Sequence, residues 1–160
     1  LGVVALSCGQ RLGTCNGPEE AELAAVLHGL TVLNKYFYGR VCVESDCAAI
    51  VSLLNNRESN HSALFALVMD VWHFGNVFKE VSFRSMRRTS NKMAHELAAL
   101  ARRRGDYYMI GDLPPLRTTL TEDCNSSTNC YEVVAGLFLQ KKTHNLCFLA
   151  QNVELWFLQP

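Results

Sequence analysis

Three consecutive apolar residues, Val41, Cys42 and Val43, stop abruptly at Glu44-Ser45-Asp46 and lie between two segments of helical periodicity. Such a run reads as a buried strand, and helices on both sides of it restrict the chain to layered α/β architectures. Upstream, Gly17-Pro18-Glu19-Glu20 is a helix-start signature, with proline and acids suited to the first turn. Leu23, Val26, Leu27, Leu30 and Leu33 then recur at helical spacing, which predicts a helix of about 16 residues before Gly39. Downstream, Asp46 stands where it can cap a helix over Cys47 to Leu54, which Asn55-Asn56 breaks. Ser62 opens another helix, with Leu64, Leu67, Val68, Val71 and Trp72 on one side. Val77 to Phe83 alternates and predicts a strand. Thr89 or Ser90 caps a last helix, Asn91 to Arg103, with Met93, Ala94, Leu97, Leu100 and Ala101 apolar. At the start of the chain, Gly2 to Leu6 reads as a short strand, Ser7 to Gln10 as a turn and Arg11 to Cys15 as a weak second strand. The order strand, strand, helix, strand, helix, helix, strand, helix predicts an α/β domain with a partly parallel sheet.

The pattern changes after Gly105. Pro114-Pro115 ends it, and Thr118 to Asn129 is polar, threonine- and serine-rich linker material. Residues Tyr131 to Pro160 hold apolar patches without an assignable period, so the expectation is a domain over 1–116 and a linker and tail over 117–160. With 49% hydrophobic and 19% charged residues, the chain has material for a core, which argues against global disorder. Its seven cysteines are odd in number and include no CxxC pair, so neither a disulfide framework nor a zinc site is suggested. Leu1 follows no methionine, and the sequence reads as entered partway. No basic segment precedes the apolar opening, and no apolar stretch approaches the roughly 18 residues of a membrane span. The expectation is an intracellular protein, in nucleus or cytoplasm, with no membrane partner.

Fifteen basic and fifteen acidic side chains cancel over the whole chain, but they are unevenly placed. Arg84, Arg87, Arg88, Lys92, Arg102, Arg103 and Arg104 face a single acid, Glu96, between Arg84 and Arg104. A phosphate backbone responds to such a zone, although a solvated helix face would look similar. Glu22 near a helix start, Asp46 just past the end of a buried strand, and His95 on an alanine-rich helix are the candidates for chemistry. Sites in open α/β sheets gather at the carboxyl ends of strands, where Asp46 stands. Each has an ordinary reading as well: a first-turn acid, an N-cap and a surface or satisfied core histidine.

Together, three segments resemble the plant-type ribonuclease H-like family found in retroelement-derived reverse-transcriptase proteins. They are Ala21-Glu22-Leu23-Ala24-Ala25-Val26-Leu27-His28-Gly29-Leu30, Val41-Cys42-Val43-Glu44-Ser45-Asp46, and Arg88 through Asn91 to Ala94-His95-Glu96-Leu97-Ala98. The resemblance covers roughly Leu1 to Leu116. It implies a three-layer ribonuclease H-like fold with a mixed sheet. It also implies a family activity, metal-dependent endonucleolytic cleavage of the RNA strand of an RNA–DNA hybrid. Active members bind two divalent metals, Mg2+ or Mn2+, through four carboxylates. Glu22 matches the second of these and Asp46 the third, so both are implied metal ligands, with His95 at the fourth position.

The chain departs from that pattern. The first carboxylate belongs to a central strand that should precede Leu1, and Ser85 falls near the place of a catalytic histidine. Two carboxylates are too few to hold two magnesium ions tightly. Arg84, Arg87, Arg88, Asn91 and Lys92 flank the last strand and helix, where they are expected to contact phosphates and sugars without reading bases. Without the central strand, its neighbours at Gly2 to Leu6 and Val41 to Val43 are expected to expose unpaired edges. That Tyr131 to Leu139 fills the gap, bringing no aspartate, is the lesser alternative. Three functional readings stay open: a hybrid ribonuclease, a non-catalytic nucleic-acid-binding module, and a decayed retroelement fragment.

Overall fold

In the computed structural model, residues 3–56, 63–90, 92–110, 131–142 and 145–152 are described, with side chains for 7–11, 14–56, 63–89, 94 and 96–109. The first element, β1 (Val3–Cys15), is one continuous strand, so the turn expected over Ser7 to Gln10 does not form. Pairing with two neighbouring strands holds these residues extended, and Gly9 is closely packed among them. A side chain there would place its Cβ 2.6 Å from the Ala101 Cβ and 2.6 Å from the Tyr107 ring. The glycine thus serves close approach within a strand, not a turn.

Helix α1 (Pro18–Asn34) begins at Gly17, with Pro18 and the acids Glu19 and Glu20 in its first turn as expected. Strand β2 (Arg40–Ser45) follows, then α2 (Ala48–Asn55) and α3 (Phe65–Gly75). The N-cap of α2 falls on Cys47 and not on Asp46. Strand β3 covers Glu80–Ser85, three residues later than the alternation suggested. The chain from Phe74 to Phe78 is still turning, with Val77 N–H donating to the Phe74 carbonyl at 3.3 Å and Phe78 N–H to Gly75 at 3.1 Å. Accordingly Val77 is exposed and Phe78 buried. A 3₁₀ turn, Arg88–Ser90, leads to α4 (Lys92–Arg104). That helix ends in three arginines, and Gly105, at φ 89°, donates its N–H to the Ala101 carbonyl at 2.8 Å.

Strand β4 (Tyr107–Ile110) pairs antiparallel with β1. The region after residue 117 contributes two further strands, β5 (Tyr131–Lys142) and β6 (Asn145–Asn152), to the same sheet. The six-stranded order is β3-β2-β6-β5-β1-β4. β2 is parallel to both β3 and β6, whereas the β6–β5, β5–β1 and β1–β4 pairs are antiparallel, so the sheet is mixed. The unpaired edges expected between β1 and β2 are therefore corrected. β5 runs along β1 from Val3 to Cys15, and β6 runs along β2 from Val41 to Glu44.

Helices cover both faces. On β1, Cys8 packs in the main core with Leu23, Val26 and Leu30 of α1, while the neighbouring Gly9 abuts Ala101 of α4. Successive strand residues point to opposite faces, so α1 and α4 lie on opposite sides of the sheet and the domain has three layers. Val41 and Val43 join the α1-side core together with Ile50, Leu54, Val71 and Phe83. Each fully buried Leu or Val contributes roughly 1.5–3 kcal/mol relative to exposure. Trp72 locks this side by donating Nε1–H to the Leu54 carbonyl at 3.1 Å and meeting the Phe83 ring edge-on at 5.2 Å.

Candidate nucleic-acid interface

The site is built at the carboxyl end of β2. Ser45 has the same strand parity as Val41 and Val43, which turns it toward α1. There its hydroxyl donates to Oε1 of Glu22 at 2.5 Å, while its oxygen accepts the Cys47 N–H at 3.0 Å. Glu22 is only 5% exposed and Ser45 1%. A carboxylate that far from water requires such a donor. Asp46, half-buried, follows at the end of the strand. Burial first, and then the negative charges of Glu22 and Glu19, push the Cys47 thiol up and hold it protonated, so it is not poised as a nucleophile.

The basic segment is attached to this same end. In the parallel β2–β3 register, Glu44 pairs with Arg84 and Ser45 with Ser85. One residue further, Met86 N–H donates to the Ser45 carbonyl at 2.9 Å. This bond keeps the chain against the site as it leaves the sheet, with Arg84, Arg87 and Arg88 all exposed around it. The residue whose hydroxyl holds Glu22 thus also anchors the arginines through its carbonyl.

Residues 2–101 match a family described as reverse transcriptase-like. The chain belongs to that family. No curated protein and no solved structure matches it. The match, with the three-layer mixed sheet, makes this a ribonuclease H-like domain of nucleic-acid-related type.

Within the ribonuclease H-like domain, Glu22 is bonded to Ser45, Asp46 is the next residue in the chain, and Arg84, Arg87 and Arg88 lie along the adjoining strand and turn. His95 and Lys92 belong to α4, but their side chains lie outside the described residues, as does Asn91 altogether. Among the described residues, no three His, Cys, Asp or Glu side chains form a group able to hold a metal ion. Mg2+ demands near-octahedral oxygen coordination. Two carboxylates, one of them buried and bonded to Ser45, do not fit a pair of such ions. Ser45 is absent from the candidates that the sequence offers. Its signal is the alternation Val41, Val43, Ser45, which places the hydroxyl on the face that α1 covers.

A second feature of the domain is a cleft of about 310 Å3 bordered by Cys8, Gln10, His28, Asp106 and Tyr108. Burial lowers the His28 pKa, against the opposing pull of Asp106, with Lys35 adding to the lowering. Burial pushes Cys8 up to about 12. The thiol is therefore inert here.

Proposed function

We propose that this ribonuclease H-like domain binds double-helical nucleic acid, with an RNA–DNA hybrid as its preferred form, along the carboxyl ends of β2 and β3. The observation that carries the reading is the Met86–Ser45 bond, which fixes an exposed arginine run beside the sheet end. Guanidinium groups held there meet phosphates along a backbone and confer position without sequence preference. A-form geometry with 2′-hydroxyls is the shape such a surface distinguishes from B-form DNA. Asn91 and Lys92, which follow in the chain, extend the same contact in this reading. Binding without cleavage is the form that the carboxylate set supports, since Glu22 is held by Ser45 and, among the described residues, no group of three possible metal ligands forms.

Fluorescence anisotropy with a labelled hybrid tests the binding. Replacing Arg84 and Arg87 together by alanine is expected to weaken affinity and to flatten the salt dependence by about two in the log–log slope. An unchanged slope would remove these arginines from the interface. Incubating the hybrid with the chain in Mg2+ and then Mn2+ tests the second half. Cleavage that disappears in Asp46→Asn would overturn the non-cleaving form and establish the family's hydrolysis here.

A further inference from the structure

We infer that the cleft between α1 and the β1–β4 edge of the sheet is a second binding site, one that takes a guanine base. Cys8 of β1 pairs with Tyr108 of β4 and turns toward α1. Gln10, two residues on, shares that face. His28 and Val32, one helical turn apart, approach from α1, and Asp106 and Tyr108 close the far side. In the sheet order β4 stands four strand positions from β2, roughly 19 Å at the usual spacing. The cleft is thus separate from the arginine run, and the inference does not depend on the binding reading above.

Volume, polar side chains and exposed rings each point to a ligand. At about 310 Å3 the cleft is at the small end of binding pockets, with room for a base or a nucleoside and little more. Gln10 and His28 are half-buried, yet among the described residues neither side chain has a hydrogen-bond partner. Polar groups withdrawn from water rarely go without one. Asp106 Oδ1 accepts the Arg11 N–H at 2.9 Å, which holds the carboxylate at the rim with accepting capacity left over. Tyr108 is 41% exposed and Tyr36 56%, and their rings lie 5.6 Å apart at a 36° tilt. Exposed rings of this kind offer a face on which a base stacks.

The pattern of donors and acceptors selects the base. A carboxylate only accepts, so it pairs best with a ring edge that carries two adjacent N–H donors, as guanine does at N1 and its 2-amino group. Adenine offers a donor beside an acceptor instead. Burial holds His28 below its ordinary pKa and therefore neutral near pH 7, with one nitrogen donating and the other accepting. Donors from His28 and Gln10 suit the O6 and N7 acceptors further round the guanine ring. Lys35, exposed and near enough to His28 to act on its charge, suits a phosphate attached to the sugar.

Isothermal titration of the full chain with GMP, inosine monophosphate and AMP tests this. GMP is expected to bind with a Kd of about 0.1–1 mM, the range of a small open site. Inosine monophosphate, which lacks the 2-amino donor, and AMP should each bind at least about tenfold more weakly. Asp106→Asn keeps an oxygen for the Arg11 N–H but turns a donor toward donors, and should abolish the preference for GMP over AMP. Tyr108→Ala should weaken GMP binding by about tenfold, and Tyr108→Phe should restore it. The single strands UUGUU and UUAUU separate the sources of the base. A guanine strand that binds about tenfold more tightly than GMP assigns the site to bases of single strands, and equal affinity assigns it to free nucleotides. Either result supports the inference. Equal wild-type affinity for GMP and AMP would overturn it, as would no binding of GMP or of the guanine strand up to about 5 mM. Should the variants fail to fold, the wild-type ranking of the three nucleotides decides the matter.

Discussion

One hydroxyl at the end of β2 satisfies two groups at once, the Glu22 carboxylate and the Cys47 N–H. Ser45→Ala removes the donor from a buried carboxylate and the acceptor from a helix-start amide. Urea unfolding should show a loss of about 1–3 kcal/mol, the usual cost of stranding a buried polar group. Glu22→Gln keeps an acceptor without the charge and should cost less; a larger loss would mean the charge itself is stabilised there. Gly9→Ala probes close packing on the opposite face. The new Cβ meets Ala101 and the Tyr107 ring at 2.6 Å, so a loss of about 1–3 kcal/mol is expected. His28 adds a pH effect. Its pKa is lowered in the fold by burial, so the unfolded chain binds the proton more readily. The sign follows: stability is fully present above about 6.5 and falls as pH drops from there toward the folded pKa. Midpoints of denaturant unfolding between pH 7.5 and 5 should show this fall in the wild type and lose that part of it in His28→Asn. Equal slopes in both would assign the pH dependence to other groups.

Among the elements, α2, α3 and β3 form a unit tied by side chains that reach backbone carbonyls. Trp72 Nε1–H spans to Leu54, and Asn55 Nδ2 donates to the Phe83 carbonyl at 3.3 Å. Trp72→Phe keeps a ring near Phe83 but loses the bridge to α2, for a loss of roughly 1 kcal/mol in thermal or urea unfolding. At this scale the sequence is most readable where periodicity and burial agree. Leu23, Val26, Leu30 and Leu33 mark α1, and Val41 to Val43 mark β2, because one covered face imposes the spacing. Legibility fails where a long-range partner overrides local chemistry. Ser7 to Gln10 has turn-like composition, yet pairing with β4 on one side and β5 on the other draws it into a strand. Val77 to Phe83 carries a true alternation, but its first residues belong to the turn that follows α3. In the site, Glu22 and Asp46 are visible as charges in a motif, and the arginines as a local excess. Ser45 is not, since a serine at a strand end looks ordinary until α1 is placed over it.

At the scale of the whole molecule, the sheet is completed from the far end of the chain. β5 and β6 carry no period that marks them locally, and beyond their own hairpin their partners lie about a hundred residues away in sequence, a separation that also slows folding. They nonetheless occupy the middle of the sheet, leaving β3 and the four-residue β4 as its edges. Short edge strands are poor templates for other chains, whereas a long open β1 would be a good one. A chain ending at residue 116 tests this directly. Without the hairpin, β1 loses its partner from Val3 to Cys15 and β2 loses its partner from Val41 to Glu44. Size exclusion and circular dichroism should find the shortened chain aggregated or lacking a cooperative unfolding transition, beside a full chain that unfolds cooperatively. A finer version leaves the length intact. Phe138 lies opposite Ser7 on one side and Leu149 on the other, so Phe138→Pro deletes an N–H inside the sheet, at roughly 1–3 kcal/mol. If both the short chain and the proline variant unfold at the wild-type midpoint, the hairpin is not holding β1 and β2 together.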